Sequence, residues 1–166
     1  MLIIFGGLPG TGKTTIARAL ALRLGAVHLR IDTIEAPIIA AYGDDVADVG
    51  YRVGYGVADD NLRLGRTVIA DSVNPLQLTR DAWRAVATRA DTASIEVEIV
   101  CSDVNVHRRR VELRLSEIPE LNPSSWEQVC GRRFEPWRSE HIVIDTAGRD
   151  IDDCLAELMT RLPAVA

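Results

Sequence analysis

Lysine is almost absent from this chain: of nineteen basic residues only Lys13 is lysine, and the rest are arginine. Coding preference explains such a bias. Against it, the one retained lysine marks a place that needs a compact ammonium rather than a planar guanidinium. Cysteine is scarce as well. Cys101, Cys130 and Cys154 are widely spaced and form no C-x-x-C, and His28, His107 and His141 are scattered. That spacing excludes a disulfide framework and a zinc site, and the thiols read as small buried apolar groups. No apolar run approaches the roughly 20 residues of a membrane helix. The apolar start, Leu2 to Phe5, is far shorter than a signal-peptide core and runs straight into glycines, so the chain reads as cytoplasmic. Repeats, low-complexity tracts and Ser/Pro-rich linkers are missing, which points to a single domain. What remains is globular: 166 residues, 47% hydrophobic and 26% charged, excluding disordered, collagen-like and coiled-coil chains. The net charge of −5 argues against a broad nucleic-acid-binding surface.

Five short apolar segments predict strands: Leu2–Phe5, Ala26–Ile31, Thr67–Ala70, Ile95–Val100 and Ile142–Ile144. Helical patterns lie between them. Ile16, Leu20 and Leu24 share a face that Gly25 ends. Asn74-Pro75 predicts an N-cap and a first-turn proline for a helix with Leu78, Ala82, Ala85 and Val86 on its apolar face. Val104, Val111 and Leu115 predict a third helix. Ile151, Leu155, Leu158 and Leu162 form a last stripe behind Asp150, Asp152 and Asp153. Strands alternating with helices give a parallel sheet covered on both faces. Glu96 and Glu98 predict that the first half of the fourth strand is exposed on one side.

The segment Gly7-Leu8-Pro9-Gly10-Thr11-Gly12-Lys13-Thr14 fills every fixed position of G-x-x-x-x-G-K-[ST], between a strand and an amphipathic helix. Glycines let successive N–H groups turn inward into an anion nest, and the helix N-terminus adds partial positive charge. Lys13 is expected on the β- and γ-phosphates of ATP, Thr14 on Mg²⁺, and Thr15 completes the nucleotide-binding loop.

Asp71 follows an apolar strand beside that loop. It reads as a second Mg²⁺ group, or as an Asx-turn leading into Asn74-Pro75. Asp32 ends the second strand on the same sheet edge. It reads as a base for a hydroxyl attacking the γ-phosphate, or as a helix N-cap paired with Glu35 in a capping box. Arg110 and Arg114, at i and i+4, read as a pair of guanidiniums for transition-state charge, or as a solvated basic face. The stretch after them, with Pro119, Asn122 and Pro123, reads as a mobile flap.

Taken in order, the phosphate loop, Asp32, Val68-Ile69-Ala70-Asp71 with Asn74, Arg110/Arg114, Phe134-Glu135-Pro136-Trp137 and Ile144-Asp145-Thr146 resemble the compact P-loop kinases grouped with zeta toxin, chloramphenicol phosphotransferase and the 5′-kinase domain of polynucleotide kinase. The resemblance spans nearly the whole chain. It implies an α/β, single-domain P-loop NTPase fold of AAA type: a five-stranded parallel sheet, helices on both faces, a lid over about residues 108–125 and an acceptor-binding insertion over about 32–64. It also implies an ATP- and Mg-dependent phosphotransferase. Lys13, Asp32, Arg110 and Arg114 would be its catalytic groups, and the loop at Asp145-Thr146-Ala147-Gly148 would lie near adenine. Polynucleotide kinases carry an arginine three residues after the catalytic aspartate, where this chain has Glu35. That acid disfavours a polynucleotide acceptor.

The insertion concentrates the chain's negative charge. Between residues 32 and 62 lie Asp32, Glu35, Asp44, Asp45, Asp48, Asp59 and Asp60 against Arg52 alone. Tyr42, Tyr51 and Tyr55 lie there too, with Gly50 and Gly54 read as leaving space beside them. An acidic, tyrosine-lined surface suits a neutral or cationic small hydroxyl acceptor, whereas a solvated pair of helix faces would need no ligand. The other readings are a polynucleotide or nucleoside 5′-hydroxyl kinase, and a nucleotide-binding regulatory module without an acceptor.

Overall fold

The computed structural model describes residues 1–43, 48–118 and 121–163. Its central strand, β1 (Leu2–Gly6), is buried along its whole length. Leu2 and Ile4 face one hydrophobic layer and Ile3 and Phe5 the other, as the two-residue period of a strand requires. The remaining strands are β2 (Val27–Arg30), β3 (Val68–Asp71), β4 (Ser94–Val100) and β5 (Ile142–Asp145). All run parallel in the order β2-β3-β1-β4-β5. The helices α1 (Lys13–Leu24) and α7 (Ile151–Arg161) cover the Ile3/Phe5 face. The opposite face is covered by α3 (Val49–Arg63) and α4 (Gln77–Arg89), with α2 (Ile31–Tyr42) packed along α3. Two further helices, α5 (Val104–Leu113) and α6 (Trp126–Cys130), lie between β4 and β5 in the chain. Gly25 ends α1 in the left-handed conformation, and Asp150 caps α7 through its side chain. Among the described residues no helix is long and apolar enough to cross a membrane.

Register decides where the chemistry lies. Phe5 and Arg30 both pair with Asp71, so the phosphate loop, Asp71 and the β2–α2 junction share the carboxyl edge of the sheet.

All five strands form on the short apolar segments that predicted them, with ends shifted by a residue or two; Asp71 belongs to β3, and Ile31 and Asp32 to α2. Several local readings are corrected. Asn74 is not an N-cap: α4 starts at Gln77 behind Leu76, and Asn74 is buried with φ 47°, its Nδ2 donating to Phe5 O at 2.7 Å. The buried face of α4 is Arg80, Trp83, Val86 and Ala87, while Leu78 and Ala85 are exposed and Ala82 is half-buried. Arg80 holds a core position because Asn74 O, Pro75 O and Glu135 O accept its N–H groups and Trp137 stacks on it. In α5 the buried residues are His107 and Val111; Val104 and Leu115 are exposed, and Leu115 lies past the helix end. Glu96 is buried, not exposed, because Arg84 and Ser139 donate to it. In α7, Cys154 and Leu158 are buried and Ile151 is half exposed.

Candidate active site

The phosphate loop is shaped by contacts that only glycine permits. Gly7 and Gly10 both have positive φ, and a Cβ would strike Ile99 O at Gly7 and Val111 at Gly10. The loop thereby packs directly on β4 and α5. Thr11 Oγ1 donates to Leu8 O at 2.9 Å, Thr146 Oγ1 to Thr11 O at 2.7 Å, and His107 Nε2–H to Pro9 O at 2.8 Å. Gly12 is the N-cap of α1 and offers no side chain to its first-turn amides, which leaves them open to an anion.

At the start of α1, Lys13 Nζ lies 3.3 Å from Asp71 Oδ1, and Thr14 Oγ1 lies 3.4 Å from the same oxygen. Asp71 is 1% exposed. Its other oxygen, Oδ2, accepts from His28 Nε2 at 3.2 Å. Burial opposes the charge on Asp71, but the Lys13 ammonium and the bonds from His28 and Thr14 outweigh it and hold the carboxyl well below the usual range. A hydroxyl and an ionised carboxylate this close are hard oxygen donors of the kind Mg²⁺ takes. Among the described residues no three His, Cys, Asp or Glu cluster as metal ligands.

Two cavities open from this point. The first, of about 400 Å³, runs from the phosphate loop through Thr14 and Thr15, under Arg110, to Thr146 and Arg149. The second, of about 460 Å³, is walled by Asp32, Glu35, Asp48 and Tyr51 on one side and by Ser116, Asn122 and Arg132 on the other. Both are lined by Pro9, Lys13, Arg30 and Arg114.

The sequence-derived residues divide between these spaces. Asp32 lies in the first turn of α2 and does not cap it; the N-cap is Arg30, with no side-chain cap, and the pairing with Glu35 does not form. Asp32 instead faces the second cavity, its Oδ2 3.4 Å from Arg30 Nη2. Arg110 and Arg114 do not share a helical face, because α5 ends at Leu113 and Arg114 is extended. They meet in the first cavity nonetheless, where Arg110 donates to Thr146 Oγ1 at 2.7 Å and to Thr146 O at 3.0 Å. Gly50 and Gly54 leave no space: Cβ atoms there would strike Glu35 and Ile31, so they let α3 approach α2 and the sheet. Of the tyrosines only Tyr51 lines the second cavity; Tyr55 packs edge-on against Trp83 at 4.6 Å, and Tyr42 is exposed. Asp44, Asp45 and Pro119 lie outside the described residues.

Sequence reasoning missed His28, Arg30 and Glu117. The signal available for the first two was a polar residue at alternate positions of an otherwise apolar strand, Val27-His28-Leu29-Arg30. Glu117 carried none, since its partners Arg18 and Arg30 are remote in the chain.

Glu35 gives a testable handle on the second cavity. Burial, and then the negative charge of Asp32, push its carboxyl above the usual range. A raised carboxyl pKa contributes stability that is present below the unfolded value and lost as pH rises through the folded one. Glu35→Gln is therefore expected to raise the thermal midpoint at neutral pH and to give no gain below about pH 4, where glutamate is protonated in both states. Thermal unfolding at the two pH values checks this; an equal gain at both would contradict it.

A sequence model described as an AAA domain matches residues 2–135. No curated protein matches the sequence significantly. Among solved structures, the Mycobacterium tuberculosis APS kinase CysC, in complex with AMPPNP and APS, superposes with a TM-score of 0.74 at 21% identity, over 96% of this chain and 95% of that one. Kti12 from Chaetomium thermophilum, in complex with ADP-AlF3, gives 0.69 at 23% identity, over 99% and 100%. A gluconokinase from Sinorhizobium meliloti gives 0.67 at 17%, over 95% and 89%. At these identities the likeness is one of fold. With the family model spanning most of its length and this topology around an intact phosphate loop, the chain belongs to the AAA domain family and carries the compact P-loop kinase fold.

Proposed function

We propose that the chain is an ATP- and Mg-dependent phosphotransferase that moves the γ-phosphate to a hydroxyl of a small molecule. The observation that carries this reading is the pair of cavities sharing Lys13, one along the phosphate loop and one beside Asp32. A nucleotide switch needs only the first, whereas a two-substrate transferase needs both, meeting at the reacting atom. That the superposed folds include an APS kinase and a gluconokinase supports transfer to a small molecule.

In this reading the loop amides and Lys13 hold the β- and γ-phosphates, and Arg110, tied to Thr146, lines the nucleotide side. Thr14 and Asp71 would hold Mg²⁺, which when bound draws charge from the phosphate oxygens. Asp32 orients the acceptor hydroxyl and takes its proton as the oxygen attacks phosphorus. Arg114, lining both cavities, offsets charge on the group in transfer. Residues 108–125 act as the lid, and α2 with α3 as the acceptor-binding insertion.

Asp32, Glu35 and Asp48 on one wall of the second cavity favour a neutral or amine-bearing acceptor over a polyanion. The test is transfer from γ-labelled ATP to neutral polyols, hydroxy-amines and a 5′-hydroxyl oligonucleotide. Labelling of the first two groups and not of the third is expected. Efficient labelling of the oligonucleotide, falling steeply with salt, would contradict the acceptor assignment.

A further inference from the structure

Arg30 ends β2 with a side chain only 8% exposed, yet it lines both cavities. A buried guanidinium is held by partners, and those of Arg30 are incomplete. Nη1 donates to Glu117 Oε2 at 3.0 Å. Nη2 reaches Asp32 Oδ2 at 3.4 Å, long for a charge-assisted bond, and Nε is buried with no partner among the described residues. Glu117 is itself divided: the same oxygen also accepts from Arg18 Nη2 at 2.8 Å. Glu117 sits past the end of α5, is 55% exposed on its side chain, and lines the first cavity. One oxygen of a half-exposed carboxylate therefore serves two guanidiniums at the junction of the cavities. A phosphoryl group offers three oxygens and more charge to the same donors.

We propose that Arg30 is a further catalytic residue, a cation on the phosphoryl group as it passes between the cavities, and that the Glu117 carboxylate holds its place until an anionic donor displaces it. The inference rests on the phosphotransfer reading above. In the step, the bond from acceptor oxygen to γ-phosphorus forms as the bond from that phosphorus to the ADP oxygen breaks, and the acceptor's proton goes to Asp32. Arg30 lies against Asp32 on one side and the transferring group on the other, so its charge serves the attack geometry and the phosphoryl oxygens together. Arg110 is excluded from this role because Thr146 takes both its Nη groups and it lines only the first cavity.

The test uses the full chain with ADP, alone and with aluminium fluoride, as the mimic of a phosphoryl group in transfer, read by calorimetric titration with Mg²⁺ present. For Arg30→Gln, affinity for ADP alone is expected to stay within about threefold, while the extra affinity conferred by aluminium fluoride falls roughly tenfold or more. Glu117→Gln, at an exposed position that does not endanger folding, is expected to strengthen the aluminium fluoride complex several-fold, because Arg30 is released. Undiminished trapping by Arg30→Gln would overturn the inference, and so would unchanged or weakened trapping by Glu117→Gln, which decides alone should Arg30→Gln not fold. A wild-type chain that binds ADP without trapping aluminium fluoride would overturn the phosphotransfer reading and this inference with it. Trapping by the wild type and by Arg30→Gln alike would overturn this inference only.

Discussion

Lys13→Ala is expected to abolish phosphoryl transfer, by roughly 10³-fold or more, and to weaken ATP binding. Lys13 is 8% exposed and lines both cavities, so its charge acts in a site where water screens little. It is also the cation 3.3 Å from the buried Asp71 carboxylate, which would keep only His28 and Thr14 as partners. Lys13→Arg is expected to fail as well. A planar guanidinium cannot follow the path of a narrow ammonium stem beneath the loop, and this chain uses arginine at every other basic position. Turnover and nucleotide affinity, measured side by side, check both substitutions. Normal turnover in Lys13→Ala would remove the phosphate-loop assignment.

Asp32→Asn is expected to leave ATP affinity within a few-fold of wild type and to lower transfer by about 10²-fold or more, the scale of losing a general base. Asparagine is nearly isosteric and keeps an oxygen for Arg30, but it accepts no proton. The structure sharpens this substitution as a probe. Asp32 makes no N-terminal cap bond in α2, so its replacement costs the helix little, and a loss of rate reports on chemistry. Single-turnover rates against nucleotide affinity separate the two effects. Retained transfer would leave Asp32 as an acceptor contact without proton transfer.

The parts legible in the sequence are those whose physics is local. The phosphate loop is a contiguous motif, and the strands announce themselves as short apolar runs between polar and turn residues, so β1, α1 and their junction follow from adjacent residues. The parts that were illegible depend on partners remote in the chain. Arg80 fills a core position only because Glu135 and Trp137 fold over it. Glu96 is buried only because Ser139 and Arg84 reach it. Gly50 and Gly54 looked like room for a ligand, but their missing side chains are where Glu35, Ile31 and Trp83 press against α3. In the site, Asp71 and Asp32 could be placed from strand ends. Arg30 showed only as a polar position in an apolar strand, and its role emerges once the register puts it beside Asp71 and the loop after α5 brings Glu117 onto it.

The central claim is that two substrates meet at Lys13 and that phosphorus crosses between them. Phosphorus NMR of the chain with Mg²⁺, ATP and a mixture of small hydroxyl compounds tests it most directly. The account predicts a new phosphate-monoester resonance growing in step with ADP, absent with Lys13→Ala. ATP bound and left intact across the mixture would contradict it and identify a nucleotide-binding module without an acceptor.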